Sequence, residues 1–165
     1  MRDRQYPATV VEILDDQMTF SSDLLQAVQG FAESKPWEGS TQSRKEKFRL
    51  LNRSMAEACR IEPPKLIFGK IDGRSIGGSC YTPRIHRIVI VGKLSVVTFL
   101  HEFGHALGHG EKGACRWSIN LFRKCFPRQY ARLIHVGHML VRPQELGQRI
   151  NPKSRKKTIQ SGEME

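Results

Sequence analysis

The chain has no uninterrupted apolar run of the roughly 20 residues that a membrane-crossing helix needs. Its opening, Met1-Arg2-Asp3-Arg4-Gln5-Tyr6-Pro7, lacks the apolar core of a signal peptide. A soluble, cytoplasmic protein without membrane contact is therefore expected. Cysteine is sparse: Cys59, Cys80, Cys115 and Cys125 include no C-x-x-C pair, which argues against a structural zinc knuckle. In a reducing compartment they are expected as free thiols, mostly buried. No internal repeat appears, and 165 residues are one domain's worth of chain. The expected organisation is one domain over 1–145 and a basic, disordered tail over 146–165. Nothing in the sequence sets an oligomeric state.

Acidic residues are also scarce, 16 against 27 Lys and Arg, for a net charge of +11. Arg123, Lys124, Arg128 and Arg132 contribute to this excess, as do Lys153, Arg155, Lys156 and Lys157 in the tail. Such a surface attracts phosphate backbones without discriminating sequence. It serves equally as a solvated face that keeps the protein soluble. With no helix-turn-helix signature and no basic ribbon interleaved with aromatics, nucleic-acid contact rests on charge alone.

Against these absences stands His101-Glu102-Phe103-Gly104-His105, an H-E-x-x-H pentad that ends the apolar run Leu94-Ser95-Val96-Val97-Thr98-Phe99-Leu100. On a helix, residues four apart share a face, so both imidazoles can point at one ion. Two neutral imidazoles can hold Zn²⁺, and a neighbouring carboxylate can take a proton from water beside it. The competing reading is a chance pentad on an amphipathic helix, one ring packed and the other solvated. The apolar lead-in and the pair Gly104 and Gly108, which permit close approach and a helix end, favour the metal site.

A catalytic zinc site keeps three protein ligands and an open position, so a third ligand is needed. His109 shares the face only if the helix continues, and Gly108 and Gly110 argue against that. Glu111 follows the glycine turn and opens a segment with Ala114, Trp117, Leu121 and Phe122 at helical spacing. It can swing back to an ion, or simply sit as an acid at the positive end of the new helix's dipole.

The pentad, its apolar helix and Glu111-x-x-Ala114-x-x-Trp117-Ser118 resemble the zincin metallopeptidases. The nearest likeness is to the small gluzincin-like group that includes the ImmA/IrrE and SprT-like domains, over roughly Pro63 to Phe126. In those families the helix after the pentad supplies a glutamate three residues before a small residue, the place Glu111 occupies. The connection from His105 to Glu111 is shorter than gluzincins usually have. The string His101-Glu102-x-x-His105-x-x-Gly108-x-x-Glu111 also resembles a metzincin pattern with glutamate as the last ligand. In that case Met139 is a candidate for the methionine beneath the metal, although a Met between apolar neighbours is also ordinary core filler. Both likenesses nominate Glu111.

The resemblance implies a zincin-like α+β fold: a small mixed or antiparallel sheet, its edge strand packed on the pentad helix, with flanking helices. Lys65–Gly69 and His86–Val91 read as strands, and Gly77–Pro83 as a short edge strand. In zincins such an edge aligns an extended peptide by strand addition. Tyr81 is either a donor near the scissile carbonyl or an edge-strand aromatic. His135 and His138 are candidate transition-state donors, or else surface and packing residues, and His86 has no partner at ligand spacing. Upstream, a helix running to about Phe31, a connector over Ser34–Gln42 and a helix over Ser43–Cys59 are expected to back the sheet.

The expected function is zinc-dependent hydrolysis of peptide bonds in a protein or peptide substrate. His101, His105 and Glu111 would hold Zn²⁺, and Glu102 would be the general base. The alternative is a non-catalytic zincin-fold regulator that binds DNA or a repressor through its basic surface, by analogy with the settings of the resembling families. A purely structural metal is poorly served by three ligands beside a general base.

Overall fold

The computed structural model describes residues 9–69 and 78–146. Gly77 and the basic tail from residue 147 onward, with its expected disorder, lie outside the described residues. Among the described residues the helices are α1 (Val10–Ile13), α2 (Ser22–Glu33), α3 (Thr41–Cys59), α4 (Val96–Ala106), α5 (Glu111–Cys125) and α6 (Pro127–Tyr130). The strands are β1 (Lys65–Phe68), β2 (Cys80–Thr82), β3 (Arg87–Ile90), β4 (Ile134–Val136) and β5 (Met139–Val141). The fold is α+β, as expected from the sequence. No helix among these residues is long and apolar enough to cross a membrane.

The sheet is mixed, in the order β1-β3-β2. β3 pairs parallel with β1 and antiparallel with β2, with Leu66 and Tyr81 both opposite Ile88. Ile88, Val89 and Ile90 are buried, as a central strand requires, whereas β2 is an edge. A separate hairpin joins β4 to β5. Gly137, at φ 58°, takes the first position of its two-residue turn, where a type II′ turn favours glycine.

Serine hydroxyls set the helix starts. Ser21 Oγ accepts from the Leu24 N–H and Ser40 Oγ from the Ser43 N–H, satisfying donors that the first turn leaves open. With Ser40 in that role, α3 begins at Thr41 rather than Ser43. α2 and α3 bury Val28, Phe31, Phe48, Leu51 and Met55 against Phe99, Leu100 and Phe103 of α4 and Leu121 of α5. Phe48 is the hub, edge-on to Phe31 at 5.0 Å and Phe99 at 5.6 Å. The helices thus back α4, which also packs against α5, β2 and β3.

The short helix α1 had no counterpart in the sequence reading. Four residues cannot form a stable helix alone. This one is fixed by α5: Asn120 Nδ2 donates to the Ile13 carbonyl at 2.8 Å, and its Oδ1 accepts from the Asp15 N–H at 3.0 Å.

Candidate metal centre

Ser95 caps α4, its Oγ accepting from the Thr98 N–H, so Leu94 remains outside the helix and the pentad forms its final turns. Gly108, at φ 93°, then ends it. The His109 N–H donates to the Gly104 carbonyl at 3.1 Å and the Gly108 N–H to the His105 carbonyl at 2.9 Å. These paired bonds are a Schellman turn, and they stop the helix before His109 can share the face of His101 and His105. Gly110 caps the next helix, and Glu111 is the first residue of α5.

The return path is tight because α4 and α5 cross closely. A Cβ on Gly104 would lie 3.3 Å from Ala114 Cα and 3.3 Å from Trp117 Cε3. That approach brings Glu111 over the pentad. Glu111 Oε2 lies 3.3 Å from His101 Nε2 and 3.4 Å from His105 Nε2, and the two ring nitrogens are 3.1 Å apart. The three residues could hold a metal ion.

The chemistry of the three atoms can be worked out from their neighbours. His105 Nδ1 is 2.9 Å from the His109 carbonyl, which can only accept, so the neutral ring carries its proton there and offers Nε2 as a lone pair. Glu111 Oε2 is buried and has no hydrogen-bond donor. At most the single ring proton of His101 remains for three converging acceptor atoms. Tetrahedral bonds of about 2.0–2.2 Å separate ligand atoms by roughly 3.3 Å, close to the spacing found here. A divalent cation fits the donor set.

Electrostatics favour the ligating form of His101. Burial, then the neighbouring His105 charge, lowers the pKa of His101, outweighing the opposing pull of Glu111. A charge on His138 acts in the same direction, so the tip of the β4–β5 hairpin is within electrostatic reach of the cage. Glu102, between the two histidines on α4, is buried. Burial raises its pKa to about 7, against the lowering effects of His105 and of a hydrogen bond from the Tyr81 backbone N–H. The edge strand thus packs against the pentad helix beside the cage.

The remaining candidates are sorted by their partners. His109 serves through its carbonyl, while its ring lies 6.0 Å from Trp117, tilted by 34°. Tyr81 Oη is 2.8 Å from His86 Nδ1, and His86 Nε2 is 2.6 Å from the Glu62 carbonyl. In the neutral ring Nε2 must donate to that carbonyl, so the tyrosine hydroxyl donates to Nδ1 and its proton is committed away from the cage. His135 Nε2 is held 2.6 Å from Tyr130 Oη. Met139 stands on β5 with 36% of its surface exposed, which corrects the expectation of a core filler.

The cysteines are free. Cys115 and Cys125 are buried and Cys59 and Cys80 half-buried, fewer buried than expected. Cys115 Sγ sits 3.7 Å from His101 Nδ1, a contact that sequence reading missed. Burial, reinforced by the charges of Glu111 and Glu102, pushes its thiol up to about 12, so it is neutral. Its position four residues after Glu111 on one helix face was the available signal. Of the basic residues, Arg123 is ion-paired with Asp16 and Arg116 with Asp15, while Lys124, Arg128 and Arg132 are exposed. No family model, no curated protein and no solved structure matches the chain.

Proposed function

We propose that this protein is a zinc-dependent metallopeptidase of the zincin kind. His101, His105 and Glu111 are its metal ligands and Glu102 its general base. The observation that carries the proposal is the convergence of three lone-pair atoms at 3.1–3.4 Å with too few protons to satisfy them. Two imidazoles and one carboxylate, with a fourth position left open, are the donor set of a catalytic rather than a structural zinc. The ion would supply Lewis acidity, polarising the scissile carbonyl and acidifying water.

The chain's own residues do the rest. Glu102 accepts a proton from the attacking water on its carboxylate and returns it to the leaving amine. Its elevated pKa suits both halves of that transfer, because a base poised near the working pH can also act as an acid. The Tyr81 N–H, on β2, favours the charged carboxylate. An extended peptide added at the free edge of β2 would lie beside Glu102, its backbone recognised without regard to sequence.

The test is Glu102→Gln, assayed for proteolysis of a panel of unfolded proteins alongside metal content. Hydrolysis should fall by about 10²–10⁴-fold while each chain retains its ion. Full activity in the variant, or loss of the metal with the carboxylate, would contradict the role given to Glu102.

A further inference from the structure

The two ring ligands are backed differently. Behind His105 stands the His109 carbonyl, 2.9 Å from Nδ1, which fixes the ring proton on that nitrogen whether or not an ion is present. Behind His101 stands the Cys115 sulfur, 3.7 Å from Nδ1 and within hydrogen-bonding reach. A thiol is both a weak donor and a weak acceptor. It therefore imposes no tautomer.

We propose that Cys115 is a positioning residue for His101, a partner that follows the ring through the tautomer change accompanying metal uptake. The proposal rests on the metal-centre reading. In the metal-free cage the His101 proton sits on Nε2, where it bridges to His105 Nε2 or Glu111 Oε2, and the Cys115 S–H donates to Nδ1. When Nε2 gives its lone pair to a cation, the ring proton passes to Nδ1 and the sulfur accepts it, its own S–H turning away about Cβ–Sγ. The thiol keeps its proton throughout, so the exchange moves one ring proton and nothing else. A carbonyl in this position would hold three lone pairs facing one another in the metal-free protein. The thiol removes that repulsion.

Cys115 lies one turn beyond Glu111 on α5, so a single helix delivers the third ligand and the support for the first. Its sulfur meets Nδ1, on the side of the ring away from the cage, which makes it a support and not a fourth ligand.

The experiment compares the full-length protein with Cys115→Ala and Cys115→Ser, each stripped of metal and titrated with Co²⁺ and Zn²⁺ in competition with a chelator. Alanine should weaken binding about tenfold, the lower end of the range for lost outer partners of metal-bound histidine. Serine, whose hydroxyl also donates and accepts, should restore it. The visible bands of the Co²⁺ form should shift in the alanine variant and return in the serine variant. Equal affinities with unshifted bands in all three would overturn the positioning role while leaving the metal centre intact. An equal loss in both variants would mark simple packing and overturn it too. A sulfur-to-cobalt charge-transfer band in the parent, lost on substitution, would make Cys115 a ligand and likewise refute the proposal. Failure of the parent to bind either ion would instead bring down the metal-centre reading.

Discussion

Along α5, charge is answered toward one end and left open at the other. Arg116 meets Asp15 at 3.1 Å, Arg123 meets Asp16, and Asn120 bonds the Ile13 and Arg116 carbonyls and the Asp15 N–H. At the first residue, Glu111 Oε2 is buried beside two ring nitrogens, 3.3 Å from His101 Nε2 and 3.4 Å from His105 Nε2. Buried polar groups are ordinarily hydrogen-bonded, and three acceptor atoms converging with so few protons suit a cation. One stretch of the helix holds the chain together through Asn120 and two ion pairs, with Arg116 Nε left buried and unpartnered. At its N-terminus, Glu111 joins the two imidazoles in a group that could hold a metal ion.

If that contrast is sound, stability and metal affinity can be broken separately. Asn120→Ala opens the first of these, stranding the Ile13 carbonyl and the Asp15 N–H, and should cost about 3 kcal/mol. The thermal midpoint should drop by roughly 6–12 °C, with metal affinity of the folded protein unchanged. A parallel loss of affinity would mean the two ends are one unit.

Gly104→Ala makes the opposite cut. Its Cβ would press on Ala114 Cα, a backbone atom that cannot rotate aside. Alanine's helix propensity offsets this by about 1 kcal/mol, so net stability should change little. The displaced α5 should still carry Glu111 off its station, weakening metal binding by about tenfold or more. Chelator competition on the variant measures it, and unaltered affinity would show that the close crossing does not set the cage.

A finer distinction comes from pH. Burial raises Glu102 to about 7 in the folded protein, above its ordinary carboxylate value. A raised carboxyl contributes its full stability below the unfolded-state pKa and loses it as pH climbs through the folded one. Metal-free Glu102→Gln should therefore be more stable than the parent at pH 8, by about 3 kcal/mol, and equal to it near pH 4. Thermal melts at the two pH values check this, and saturating Zn²⁺ should narrow the gap by favouring the carboxylate. A pH-independent difference would contradict the burial argument.

The pentad, the glycine-ended α4 and the acid opening α5 were legible in the sequence because helical period and glycine chemistry act locally. The central strand β3 and edge strand β2 were legible from β-rich runs bounded by Gly and Pro. What escaped reading was delivered by the backbone or by distant packing. The His109 carbonyl and the Tyr81 N–H carry no side-chain signal, and α1 depends on Asn120, more than 100 residues away, as well as on its local Thr9–Glu12 capping box. The basic stretch after the pentad read as one surface feature. Its Arg123 is in fact tied to Asp16, a pairing no local pattern announces.

The most direct measurement is a zinc titration of the metal-free protein beside Glu111→Ala, followed calorimetrically and by elemental analysis after dialysis. The parent should retain one ion per chain and Glu111→Ala should lose it during dialysis, with both folded. Retention of the ion by Glu111→Ala, or no uptake by the parent, would contradict a cage built from His101, His105 and Glu111.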